Sequence, residues 1–396
     1  MAVRGIMHLL LKAFKIHSNT TLRLTISRCH LPFWLAVGFV LQGWFSPLFA
    51  NDDFRHGVKT HQDWYQRIKK DPDPKILYLL AHRAGRNLSA SKAQEFSDWI
   101  KKYPKQLDEA LGKMGIHFDS KKHEQESIKE WRTLYGKQAS QKKSKHYLYL
   151  YTKKDEALIR RLSYYMEKVF SFYEKKFNMD EKIAGIFIIK VHANEEIFRR
   201  RSNGLSNMFA YFSASDRSLV GYSQSFSSKR RNDEYHMRLI KTFFHEGFHQ
   251  YLSYYVPAPP TWLNEGMAEN FEAMSIRGKK IFENRNLHAG NLDRLKTFMR
   301  KKVTTPLQQL IYMSQEEMYA NAQVNYPQSW GLIHFFAYGS SRYKKYYQDI
   351  ILNLKNGLSQ KESLDAVFGK MDWALCEEIF QRYILKLKAS QSRDSF

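Results

Sequence analysis

Arg238–Met274 reads R-L-I-K-T-F-F-H-E-G-F-H-Q-Y-L-S-Y-Y-V-P-A-P-P-T-W-L-N-E-G-M-A-E-N-F-E-A-M, and its first half has the marks of one long helix. Asp233 and Glu234 stand at the positive end, Ile240, Phe244, Phe248 and Leu252 recur at helical spacing, and Pro257 stops the run, so a helix is predicted over about 233–255. His245 and His249 then project from one face, one turn and about 6 Å apart, a separation from which two imidazoles can converge on one ion. Glu246 follows the first histidine and projects beside such an ion, where a general base acting on metal-activated water has to stand. Pro257, Pro259 and Pro260 turn the chain back, Thr261 is placed to cap a second helix from Trp262, and Glu265 falls in its first turn. A hydrolytic zinc site needs three protein ligands and an open position, so Glu265 is the expected third ligand. Glu269, one turn later on the same face, is expected to accept the spare N–H of a ligand histidine. The competing reading is surface charge on two helices, and for Glu269 a solvated helix residue. The only cysteines, Cys29 and Cys376, exclude a thiolate-rich site, so any metal is held by histidine and carboxylate.

H-E-G-F-H with N-E-G-M-A-E beginning fifteen residues on, at Asn264, resembles the gluzincin metallopeptidases, in particular the bacterial peptidase MA-like proteins and, more distantly, the alanyl-aminopeptidase family. The resemblance spans about Tyr147 to Leu387. It implies Zn2+ bound by His245, His249 and Glu265, Glu246 as general base and proton shuttle, and a second carboxylate at Glu269. It also implies a tyrosine that steadies the tetrahedral oxyanion, and N-Y-P-Q-S-W offers Tyr326 in that place. A phenol held in a dry site can donate to developing negative charge without reorganisation, although core packing is the alternative in a chain with 24 tyrosines. His334 and His192 read as core or ion-paired histidines. Aminopeptidases of this superfamily carry an upstream segment whose glutamate grips the substrate's free amine, and Gly204–Tyr211 (G-L-S-N-M-F-A-Y) has no carboxylate. The expectation is therefore an endopeptidase rather than an aminopeptidase, with Met208–Ser213 or Ser218–Tyr222 as the edge strand that pairs with an extended peptide.

Outward from the motif, His146–Thr152 (H-Y-L-Y-L-Y-T) alternates as a strand does, a helix follows over about 155–177, and Ile183–Val191 reads as a second, more buried strand. Met208–Ser213 and Ser218–Tyr222 are short strands joined at Ala214-Ser215-Asp216-Arg217, and every segment after Val256 reads as helix. The fold class is α+β, a zincin-like catalytic domain with a small mixed sheet and an active-site helix, preceded by a helical N-terminal region. The divisions are 1–50, a signal peptide or N-terminal anchor; 51–136, helical; 137–145, a polar, basic linker within G-K-Q-A-S-Q-K-K-S-K; and 146–396, the gluzincin-like catalytic domain, with sheet and zinc helices in 146–275 and a helical subdomain in 276–396.

Residues 1–28 carry five basic and no acidic side chains and precede the apolar run Leu31–Ala50, which reads as an export signal with cleavage after Ala50. A retained anchor over residues 31–50 is the alternative, and either places the protein in the periplasm or outside the cell. The net charge of +24 favours anionic surroundings such as an envelope surface. These features compose an exported zinc metallopeptidase acting on a peptide or protein substrate. The alternative is a non-catalytic zincin-fold binding protein of the cell envelope that uses its basic surface. No nucleic-acid fold signature accompanies the charge, so no nucleic-acid partner is expected.

Overall fold

The computed structural model describes residues 120–388, apart from 178, 180–182, 184, 203–207, 214–215, 257–258, 284–287, 340–342 and 356–357, together with Gln94, Ser97, Asp98, Lys101 and Asp394. The expected export signal of residues 1–50, nearly all of the tract before Ser120 expected to be helical, the expected turn at Ala214-Ser215 and Pro257 lie outside the described residues.

The expected linker is a strand. Helix α1 (Ser120–Tyr135) ends in a single 3-10 turn at Gly136–Gln138, where Gly136 takes φ +52, and Ala139–Lys143 follow as β1, antiparallel to β2 (Tyr147–Thr152). Its lysines suit a sheet edge, where charged side chains discourage pairing with another chain. The five-stranded sheet is completed by β3 (Phe187–His192), β4 (Ala210–Ser213) and β5 (Ser218–Tyr222), in the order β1-β2-β3-β5-β4. Strands β2, β3 and β5 are parallel, and both edges are antiparallel. Of the two candidate edge strands, β4 is the edge and β5 is internal.

The alternation in Y-L-Y-L-Y-T divides two cores from each other, and all six residues of β2 are buried. Tyr147, Tyr149 and Tyr151 enter the main core with α2 (Glu156–Phe177), while Leu148 and Leu150 meet Ile188 and Trp131 of α1 on the other face. The indole of Trp131 donates to the Tyr151 carbonyl at 2.9 Å, fixing α1 on the sheet. A short helix α3 (Glu195–Arg201), capped by the Asn194 side chain, follows β3.

Helix α4 (Lys229–Tyr255) begins four residues before its predicted start and crosses beneath the sheet. Phe243, Phe244, Phe248 and Tyr251 are fully buried, each worth roughly 1.5–3 kcal/mol over exposure. Gly247 allows α2 to approach: a Cβ there would lie 2.9 Å from Met166 and 3.2 Å from the Tyr173 hydroxyl, which donates to the Phe244 carbonyl. Helix α5 (Thr261–Glu272) begins at Thr261 itself, with Pro260 as its cap residue and no side-chain cap, so Thr261 does not act as predicted. The Pro260 carbonyl accepts the first turn's N–H groups from Leu263 and Asn264.

A second departure from the predicted helices is the hairpin β6 (Ser275–Arg277) and β7 (Lys280–Phe282), turned at Gly278 with φ +54. The rest is helical: α6 (Ala289–Arg300), α7 (Leu307–Tyr312), α8 (Gln315–Ala320), α9 (Ala322–Tyr338), α10 (Tyr346–Lys355), α11 (Gln360–Phe368) and α12 (Trp373–Lys386). Helix α9 is buried on nearly all sides and packs closely on α5 at Gly266, where a Cβ would stand 2.6 Å from the Ser329 carbonyl oxygen. This contact brings Tyr326 to Glu265. No helix among the described residues is long and apolar enough to cross a membrane.

Candidate metal centre

His245 and His249 lie on one face of α4 with ring centroids 4.9 Å apart, and α5 returns across them. Glu265 Oε2 stands 3.5 Å from His245 Nε2 and 3.7 Å from His249 Nε2. In a tetrahedral zinc site with bonds of about 2.0–2.1 Å, neighbouring donor atoms are roughly 3.3–3.4 Å apart, close to these two separations. The three can therefore hold a metal ion.

Each imidazole is oriented by its other nitrogen. His245 Nδ1 donates to Glu272 Oε2 at 3.1 Å, and His249 Nδ1 donates to Asn264 Oδ1 at 2.9 Å, which leaves both Nε2 atoms directed at the cluster. Glu269 does not take the expected part. It is buried and accepts from Asn291 Nδ2 at 2.8 Å, with His288 Nε2 at 3.6 Å, and so ties α5 to α6. His288 Nδ1 accepts from the Asn291 amide, so its Nε2 carries the proton directed at Glu269. Together with His245 and Glu272, Glu269 nonetheless belongs to a second cluster of donor atoms close enough to share an ion.

Glu246 is not in the converging set. Its Oε2 accepts the Phe212 amide of edge strand β4 at 2.9 Å. Burial raises its carboxyl to about 7; His245 and the Phe212 amide act against the rise, while Glu265 and Glu272 add to it. Burial opposes ionisation of Glu265 too, but His249, His245 and the Tyr326 hydroxyl hold its carboxyl below the usual carboxylate range. Burial would discharge His245, but Glu265, Glu272 and Glu246 outweigh it and keep its imidazole protonated well above the ordinary range. Four carboxyl groups, Glu246, Glu265, Glu269 and Glu272, thus share a water-poor region with His245 and His249. A divalent cation there would favour their ionised forms.

Tyr326 lies in the second turn of α9 with its phenol at Glu265. Beside it is Tyr319, a residue the sequence did not single out: the two rings stack 6.3 Å apart, and the Tyr319 hydroxyl also faces Glu265. Burial pushes both phenols up, and the Glu265 charge adds to the rise, so both remain O–H donors. His192 and His334 are buried core histidines, paired through Nδ1 with Tyr135 at 2.9 Å and Tyr383 at 2.8 Å.

Residues 239–353, from the first half of α4 into α10, match a family described as "Protein of unknown function (DUF1570)". The match contains His245, Glu246, His249, Glu265, Glu272 and Tyr326, and it excludes β4. No curated protein matches the chain.

Proposed function

We propose that the chain is an exported zinc metallopeptidase of gluzincin type, with a zincin-like catalytic unit, that cuts internal peptide bonds. One observation carries the reading: Glu265 Oε2 lies 3.5 Å from His245 Nε2 and 3.7 Å from His249 Nε2, near the spacing of donors around one ion, and Glu246 stands beside them with its carboxylate engaged elsewhere. His245, His249 and Glu265 would hold the zinc, which would supply Lewis acidity to a peptide carbonyl and to water. Glu246 takes the proton of the attacking water and passes it to the leaving amine. Tyr326 donates to the oxygen on which negative charge develops. Edge strand β4, with its Phe212 amide beside Glu246, supports binding of an extended peptide by main-chain hydrogen bonds. The lack of a carboxylate over Gly204–Tyr211 supports an endopeptidase, and the basic, then apolar N-terminus supports export.

Metal analysis of the purified chain combined with cleavage of a quenched peptide library tests the reading. Wild type is expected to bind one zinc and to cut blocked peptides at least as well as free amino-acid amides. His249→Ala and Glu265→Ala should lose the metal, whereas Glu246→Gln should keep it and lose turnover. Equal zinc loss in Glu246→Gln would overturn the assignment of the base, and a strict requirement for a free N-terminus would overturn the endopeptidase reading.

A further inference from the structure

The basic stretch around β1 has no part in the metal centre, yet it forms one wall of an open surface cavity of about 580 Å³. The other wall is a single stripe of α2: Arg160, Ser163, Tyr164, Glu167, Lys168 and Ser171 follow at helical spacings of three and four, so they share a face. Alternation along β1 aims the lysines. Lys143 pairs with Glu124 of α1 at 2.9 Å on one side of the sheet, so Lys142 projects to the other side, into the cavity, with Lys145 beside it.

Four cationic side chains, Lys142, Lys145, Arg160 and Lys168, therefore face one concavity. None of them has an ion-pair partner among the described residues; Lys168 rests over the Tyr164 ring at 4.9 Å. The only carboxylate in the lining, Glu167, is already engaged, accepting from Ser144 Oγ at 2.5 Å, the His146 amide at 2.8 Å and His146 Nδ1 at 2.6 Å. The serine hydroxyls are spent on their own helix, Ser163 donating to the Arg160 carbonyl and Ser171 to the Glu167 carbonyl. The charged nitrogens are thus the donors left for a ligand. Set against Glu167, the four cations leave the lining three net positive charges, which suits a dianion or trianion better than a single carboxylate. The guanidinium fork of Arg160 matches phosphate oxygens in pairs, and the lysines add point charges.

We propose that this cavity binds a phosphate-bearing anion of at least two negative charges, either a free oligophosphate or the phosphate headgroups of a lipid surface. The site lies at β1, the sheet edge opposite β4, and does not depend on the metallopeptidase reading.

Calorimetry of the full chain with inorganic tripolyphosphate, and sedimentation with phosphatidylcholine vesicles with and without phosphatidic acid, test it. At low ionic strength wild type is expected to bind one of these two phosphate sources, with affinity that falls steeply as salt is added. Lys142→Glu/Arg160→Glu should lose roughly tenfold or more of that affinity. Lys370→Glu/Lys388→Glu, two exposed lysines elsewhere that remove the same charge, should lose less than about twofold. Vesicle binding that depends on phosphatidic acid and fails in the cavity variant supports the headgroup, and tripolyphosphate binding alone supports the soluble anion. Binding of neither by wild type, or an equal loss in the two double variants, would overturn the proposal, the second outcome assigning the binding to the net charge of the whole chain.

Discussion

Replacing Gly266 by alanine tests how the metal ligands are held, because the glycine sits next to Glu265 and where α5 touches α9. A Cβ at this position would meet the Ser329 carbonyl oxygen at 2.6 Å, Ile333 Cγ1 at 2.8 Å and the Ser329 carbonyl carbon at 2.9 Å. Ordinary contact begins near 3.4 Å, and backbone atoms cannot rotate away, so the helices must part by several tenths of an ångström. Glu265 is one residue from the new methyl and Tyr326 one turn from Ser329, so the separation falls between them. Metal sites tolerate about ±0.2 Å in ligand distances. Overpacking costs roughly 1–3 kcal/mol, offset by about 1 kcal/mol from the better helix propensity of alanine. Gly266→Ala should therefore stay folded, melt a few degrees lower, and bind zinc about 10–100-fold more weakly in a chelator competition. Gly331→Ala is the control, since its Cβ would meet only side chains, Leu295 at 2.5 Å and Ile384 at 3.3 Å among them. It should lose stability and keep its zinc affinity. Equal zinc loss in both variants, or none in Gly266→Ala, would refute this reasoning.

Glu272→Ala should weaken zinc binding about 10–100-fold by freeing His245 Nδ1, whereas Glu269→Ala should mainly lower the melting temperature by releasing Asn291; the reverse pattern in paired titrations and melts would return the sequence-based role to Glu269. Asn264→Leu leaves His249 without its acceptor and should cost about tenfold or more in zinc affinity, an effect absent from Asn264→Asp if the hydrogen bond is the cause. Burial drops the imidazole of His192 to about 4 from its ordinary 6.5, with Arg201 and Lys190 adding to the drop. The unfolded chain therefore takes up that proton first, and stability is lost as pH falls from about 6.5 towards 4, by up to about 3 kcal/mol, with no contribution above that window. Urea unfolding of wild type and His192→Phe at pH 7 and pH 4.5 should show the variant less sensitive to acid, and identical pH dependence would show that His192 is not the cause.

The histidine pair and Glu265 were legible because they depend on local helix geometry and a forced reversal, both written in consecutive residues. The partner of His245 was not, because it depends on how α5 lies across α4. The reversal inverts the order of contacts, so the earlier histidine meets the later Glu272 while His249 meets Asn264 at the start of α5. Glu269, one turn after Glu265, is rotated towards Asn291 and α6. Strand β1 was hidden for a related reason: A-S-Q-K-K has no apolar alternation of its own, and its strand form comes from pairing with β2. The hairpin β6–β7 has three residues in each strand, too few for any period to show. Tyr319 was invisible among many tyrosines until α8 and α9 placed it against Tyr326.

The packing of Trp131 on Leu148, Leu150 and Ile188 decides where this chain can be shortened for recombinant work. A fragment starting at His146 would bare an aliphatic sheet face and leave β2 with an open hydrogen-bonding edge, the two conditions that make an isolated sheet stick to its own copies. Starting at Ser120 keeps both covered, so solubility should change sharply between those two start points.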